Sequence, residues 1–180
     1  MAFATETDLR YPVGKWERPE NLTDAERASG IQLLEEMPAK ARAAVAGLND
    51  QQLDTPYRPG GWTVRQTIHH LADSHFSAFT RVKLALTEDT PTIKPYLEAR
   101  WAELPDSKGP VAASLEILDG LHSRWTALFR SLAPADWSRG YIHPEHGRKL
   151  SLDQTLSLYS WHSRHHVAHI TALRERNSWR

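Results

Sequence analysis

The chain contains no cysteine. That absence alone excludes disulfides, thiolate metal sites and a cysteine nucleophile. An excess of one charge is also missing, since 22 Lys and Arg offset 22 Asp and Glu. With no basic patch or run, nucleic acid is not an expected partner. No window combines the length and apolarity of a membrane span, and Met1 to Arg10 has no apolar signal core. Together these absences point to a soluble cytoplasmic protein that does not engage a membrane. No repeat, low-complexity run or strong strand pattern is present. At 180 residues the chain has the length of a single domain with a substantial core.

Histidine, by contrast, is abundant. Of 10 in the chain, four fall within eight residues: His162, His165, His166 and His169. In a helix, positions i, i+3, i+4 and i+7 share a face. His162, His166 and His169 fit that spacing, with Tyr159 and Leu173 on the same stripe. His165 sits to one side but pairs with His169 at i, i+4. Two imidazoles one turn apart grip one metal ion well, because the helix fixes both Cβ atoms before the metal arrives. No glutamate stands between them, so the zincin pattern is excluded. Helix spacing alone leaves two pairs, His162/His166 and His165/His169. On a helical wheel His162 and His166 straddle the stripe of Thr155, Tyr159 and Leu173, so both aim at a bundle interior. His165 lies about 60° to one side of His162, where a rim role is easier. Without thiolates, the ligands are imidazole, carboxylate or water, a set that suits zinc, nickel, iron or manganese.

Helical periodicity organises the rest. Thr23-Asp24-Ala25-Glu26 is a capping box, and so are Thr63-Val64-Arg65-Gln66 and Ser151-Leu152-Asp153-Gln154. Apolar stripes then predict helices near residues 23–48, 63–87, 111–132 and 151–175. Pro38 predicts a bend or break near Glu36-Met37. On the second helix His75 joins the main apolar stripe. His70 shares a small polar flank with Thr67, Ser74 and Ser77, suited to a hydrated cavity, while His69 points to the opposite side. Asp73, one turn after His70, is placed to hold an imidazole or a water. Residues 87–109 form a long connection, read as a crossover or functional loop, and residues 134–150 form a second. His143 and His146 read as surface loop groups. Trp16 is the anchor expected to pin an N-terminal arm, residues 1–20, to the body. Four helices with long connections and no sheet predict an all-α four-helix bundle.

Two stretches carry a family resemblance. Gly61-Trp62-Thr63-Val64-Arg65-Gln66-Thr67-Ile68-His69-His70-Leu71 resembles the start of the second helix in the DinB-like metalloprotein superfamily, where a ligand histidine follows two turns after Trp-Ser/Thr. Trp161-His162-Ser163-Arg164-His165-His166 resembles that superfamily's last-helix motif, with ligand histidines first and fifth. The YfiT-type branch of metal-dependent hydrolases also shares Tyr11-Pro12-Val13-Gly14, Leu53-Asp54-Thr55-Pro56-Tyr57-Arg58 and Ser123-Arg124-Trp125-Thr126, so the resemblance spans nearly the whole chain. The wider superfamily often continues its last-helix motif with Arg-Gly-Gln; Val167-Ala168-His169 stands there instead. The resemblance implies His70, His162 and His166 as ligands of one divalent ion per subunit, zinc or nickel first. It also implies a homodimer acting on a small molecule.

Three activities fit these residues. A metal-dependent hydrolase uses the ion to activate water. A transferase instead presents a low-molecular-weight thiol to the ion, and the lack of cysteine suits this equally, because the thiol comes from the cosubstrate. A non-enzymatic binder closes the coordination shell with a fourth protein ligand such as His169, Asp73 or His75. No residue stands out as a general base.

Overall fold

The computed structural model describes residues 8–145 and 147–179. Four long helices form its body: α1 (Asp24–Val45), α3 (Val64–Thr87), α5 (Val111–Arg130) and α6 (Leu152–Arg176). Single-turn helices α2 (Asp50–Leu53) and α4 (Glu98–Trp101) lie in the connections. The expected bundle is therefore present. The three anticipated capping boxes open α1, α3 and α6: Thr23 with Glu26, Thr63 with Gln66, and Ser151 with Gln154 each satisfy free amides reciprocally. A fourth box, Asn49 with Gln52, opens α2.

Helix α1 packs on α5 and α6, and α3 packs on the same two. Thus α1 and α3 stand across one diagonal, and α5 and α6 across the other. Residues 46–63 and 131–151 make the two diagonal crossings. Residues 88–110 join neighbouring helices, so their length is free to cover the bundle's side. Gly30 lets α1 and α6 approach closely: a Cβ there would meet Leu156 Cγ at 3.0 Å and Ser160 Oγ at 3.1 Å.

The expectation of no sheet is wrong. Strands β1 (Gly140–His143) and β2 (Arg148–Ser151) form a short antiparallel hairpin, with Gly140 opposite Ser151 and His143 opposite Arg148. Strands of four residues, one of them half exposed, carry too little alternation to announce themselves. Tyr141 buries itself in the core from β1. Gly140 is required, because any Cβ would collide with the Leu150 carbonyl. The hairpin also pins the long connection, through Ile93 N–H to Ile142 O at 3.0 Å and Ile142 N–H to Pro91 O at 2.9 Å.

Of the bend or break expected at Pro38, the break does not occur, and α1 runs through the proline. Proline removes one helical hydrogen bond, the one its N–H would make to the carbonyl four residues earlier. That carbonyl belongs to Leu34. It is not left unpaired, because His122 Nδ1 lies 2.6 Å from it.

The apolar core divides into two clusters. One gathers Leu34, Phe79, Val82, Trp125, Phe129 and Leu156. The other gathers Met37, Ala41, Ile68, Leu71, Leu118 and Ile170. On α3 the boundary falls at residues 73–77, on α5 near His122, and on α6 at residues 160–169. A layer of histidines thus crosses the bundle between two apolar halves. From residue 8 onward the N-terminal segment lies along α6. Trp16 Nε1 donates to Ser157 Oγ at 3.1 Å, and Trp161 Nε1 donates to Gly14 O at 3.0 Å. Residues 1–7 of the expected arm lie outside the described residues. No described helix is long and apolar enough to cross a membrane.

Candidate metal centre

Packing of α3 against α6 sets His70 across from His162 and His166. His70 Nε2 and His162 Nε2 are 3.2 Å apart. The His166 ring lies 4.4 Å from that of His162 and 4.9 Å from that of His70. One nitrogen from each of the three falls within 4.8 Å of the others. A zinc–nitrogen bond of about 2.0–2.1 Å places tetrahedral ligand nitrogens roughly 3.4 Å apart, so the observed pair needs little adjustment to share an ion. Trp62, one residue before the cap of α3, packs its ring 4.5 Å from His70 and 6.2 Å from His166. Burial pushes the His70 pKa down to about 4, with His165 adding to the effect. Burial likewise holds His162 and His166 well below the ordinary imidazole value, and neighbouring histidines add to it. All three are neutral at pH 7, with lone pairs available to a cation. Three neutral donors leave a divalent ion its full charge and open positions, the donor set of a catalytic rather than a closed site.

Behind His162 lies a second tier. His75 Nε2 is 3.1 Å from His162 Nδ1, His75 Nδ1 is 2.8 Å from His122 Nε2, and His122 Nδ1 reaches the Leu34 carbonyl. Sequence periodicity places His75 and His122 on apolar stripes and so conceals this role. Two histidines on core-facing stripes of different helices are the signal that was available.

The other sequence candidates separate clearly. His69 is committed elsewhere: Nε2 reaches Gly109 O at 3.1 Å and Nδ1 reaches Ser114 Oγ at 2.7 Å. His165 and His169 form a second group with His166, again within 4.8 Å, but all three sit on α6. His165 stacks on Trp161 at 4.3 Å and His169 on Tyr57 at 3.9 Å. Among the described residues, none of the suggested fourth ligands joins the His70/His162/His166 group. His75 is occupied by its two histidine neighbours. Asp73 is half-buried, and burial raises its carboxyl pKa, with Asp106 contributing. His143 is a correction: it lies on β1, half-buried, and faces the cleft described next. His146 lies outside the described residues.

The three histidines open onto a cleft of about 470 Å³. Its walls come from three places. Helix α3 supplies Ser74 and Arg81, the connection after it supplies Tyr96 and Glu98, and the hairpin supplies His143 and Glu145. Burial pushes the Tyr96 phenol well above its usual range, against a smaller opposing effect from Ser74, so it keeps its proton. These wall residues escape sequence reading because neither the loop nor the hairpin has a period.

Known proteins resemble this chain along nearly its whole length. The chain is 50% identical over 176 residues, 97% of its length and 99% of the relative's, to the Bacillus subtilis protein named "Putative metal-dependent hydrolase YfiT". A Bacillus mycoides relative with a name of the same kind is 52% identical over 96% of this chain and 99% of its own. The solved structure of the B. subtilis protein, described as "a probable metal-dependent hydrolase with an unusual four-helix bundle topology", superposes with a TM-score of 0.94. That alignment covers 96% of this chain and 99% of the solved one. Residues 33–170 match the DinB superfamily, and on these grounds the chain belongs to it.

Proposed function

We propose that this protein is a metal-dependent hydrolase of a small-molecule substrate, with His70, His162 and His166 holding one divalent ion, zinc or nickel. The observation that carries the reading is the 3.2 Å approach of two neutral imidazole nitrogens from different helices, at the floor of an open cleft. Bound there, a divalent ion supplies Lewis acidity and lowers the pKa of water in its open position to about 7. The chain's own residues do the rest. The trio fixes the ion's place between α3 and α6. Trp62 shields the ligand rings on one side. Tyr96 keeps a phenolic proton that can be donated to a substrate oxygen, and Arg81 offers a cation to an anionic substrate group. Glu98 and Glu145 are the carboxylates at the cleft wall from which a general base can be drawn.

The names of the relatives support hydrolysis and give no support to thiol transfer. A homodimer belongs to the same reading and rests on the family resemblance, and a cytoplasmic location is part of the proposal. The test is turnover by zinc- or nickel-loaded protein of ester, amide and phosphoester substrates, with and without low-molecular-weight thiols. The expected result is thiol-independent hydrolysis that is lost in His162→Ala. Turnover that requires a thiol and releases its adduct would replace hydrolysis with transfer.

A further inference from the structure

The histidine layer contains a chain of three imidazoles whose direction is set at one end. We propose that His122 and His75 are positioning residues: through them, the Leu34 carbonyl freed by Pro38 holds His162 as the Nδ1–H tautomer, with its Nε2 lone pair aimed at the cleft. This rests on the ligand reading above.

A backbone carbonyl can only accept. His122 Nδ1, 2.6 Å from Leu34 O, therefore carries the hydrogen. In a neutral imidazole the other nitrogen is then an acceptor. His122 Nε2 must accept from His75 Nδ1–H, across 2.8 Å. His75 Nε2 is left bare and accepts from His162 Nδ1–H, across 3.1 Å. His162 Nε2 is consequently bare, and it is this atom that lies 3.2 Å from His70 Nε2. Reversing any ring's tautomer would set two N–H groups or two lone pairs against each other somewhere along the chain. His75 and His122 are 0% and 1% exposed, so water does not offer an escape.

Proline supplies the origin of this order. Were residue 38 any other amino acid, its N–H would compete for the Leu34 carbonyl within α1. Pro38 removes that donor, and α1 presents an accepting oxygen to α5 in mid-helix. A sequence feature that reads as a helix breaker thus anchors a relay across α1, α5, α3 and α6. Hydrogen bonding of a ligand imidazole's second nitrogen fixes ring orientation, and loss of such a partner commonly weakens metal binding 10–100-fold.

Two measurements test the proposal. The first is a long-range proton–nitrogen correlation spectrum of metal-free protein labelled at histidine. His122, His75 and His162 should each show protonated Nδ1 and bare Nε2. Protonated Nε2 on His75 or His162 overturns the proposal, and this measurement needs no variant to fold. The second is zinc affinity by competition with a chromophoric chelator. His75→Phe removes both hydrogen-bonding groups and should bind zinc about 10–100-fold more weakly, with His162 losing its single-tautomer signature. His75→Gln keeps one donor and one acceptor and should recover most of that loss. Equal zinc affinity in wild type, His75→Phe and His75→Gln overturns the proposal. The two readings fail separately: stoichiometric zinc in His162→Ala sinks the ligand assignment, whereas a wrong tautomer with the ligands intact sinks only the relay.

Discussion

Two histidine trios share His166, and they differ in what surrounds them. In the first, His70, His162 and His166 come from two helices, open onto a cleft, and are backed by the His75–His122 chain. In the second, His165, His166 and His169 lie within one stretch of α6 and stack on Trp161 and Tyr57. Buried Nδ1 atoms of His165, His166 and His169 have no partner, whereas His162 Nδ1 has one. Nearness of imidazoles is common to both trios. What separates them is support: in the first trio His162 is held on its far side by the His75–His122 chain, whereas in the second His165 stacks on Trp161 and His169 on Tyr57. His169 belongs to the wall between the N-terminal segment and α6, where its Nε2 lies 3.3 Å from Arg10 O.

The strongest way to break this comparison is to delete one member at a time. His70→Ala, His162→Ala and His166→Ala should each abolish stoichiometric metal, while His165→Ala and His69→Ala retain it, as read by metal analysis of purified protein. Loss in His165→Ala with retention in His162→Ala would reverse the roles of the trios.

Acid should act on both trios at once. Unfolded imidazoles take up protons below about pH 6.5, whereas burial holds His70, His122, His165 and His169 near 4 in the folded protein. Between those values the unfolded chain binds more protons, so stability falls as pH falls. It is fully present above about pH 6.5 and is lost progressively toward pH 4. His70 alone is worth roughly 3 kcal/mol across that window. Melting of metal-free protein from pH 7.5 to 4.5 checks the slope. A flat profile would mean that the imidazoles are not buried neutral in solution.

Metal removal sharpens the contrast next. An ion at 100-fold its dissociation constant stabilises the fold by about 2.7 kcal/mol, which for a chain of this size is a melting shift of roughly 5–10 °C. Chelation should produce that drop, and His162→Ala should be insensitive to it. The smallest effect is expected at the second trio. His165→Phe keeps a ring against Trp161 and removes a buried nitrogen without a partner, so it should change stability by no more than about 1 kcal/mol, measured by denaturant unfolding.

Much of this was legible in the sequence. Capping boxes at Thr23, Thr63 and Ser151 marked helix starts because capping is local chemistry. The wheel placed His162 and His166 inward, and the structure sets them beside His70. The hairpin was not legible, since its strands are short and its contacts are with the distant segment Pro91–Ile93. The cleft wall was hidden for the same reason. Pro38 removes the helical hydrogen bond expected of it without breaking α1, and the group that meets the freed carbonyl, His122, lies 84 residues along the chain from the proline. His75 was assigned to a stripe that is apolar apart from it; a buried imidazole there needed a partner, and that demand was the overlooked clue.

The diagonal arrangement of the helices also decides when the centre can exist. His70 and His162 are separated by 92 residues, and α6 is the last helix of the chain. During synthesis, α1, α3 and α5 emerge with the polar layer unfinished and only one of the three proposed ligands, His70, present. A domain generally folds as a unit, so an ion shared between α3 and α6 would have no complete site before α6 is present. The proposed ligand set is therefore complete only once α6 has joined the bundle, and an ion held by His70, His162 and His166 would load after that helix is made.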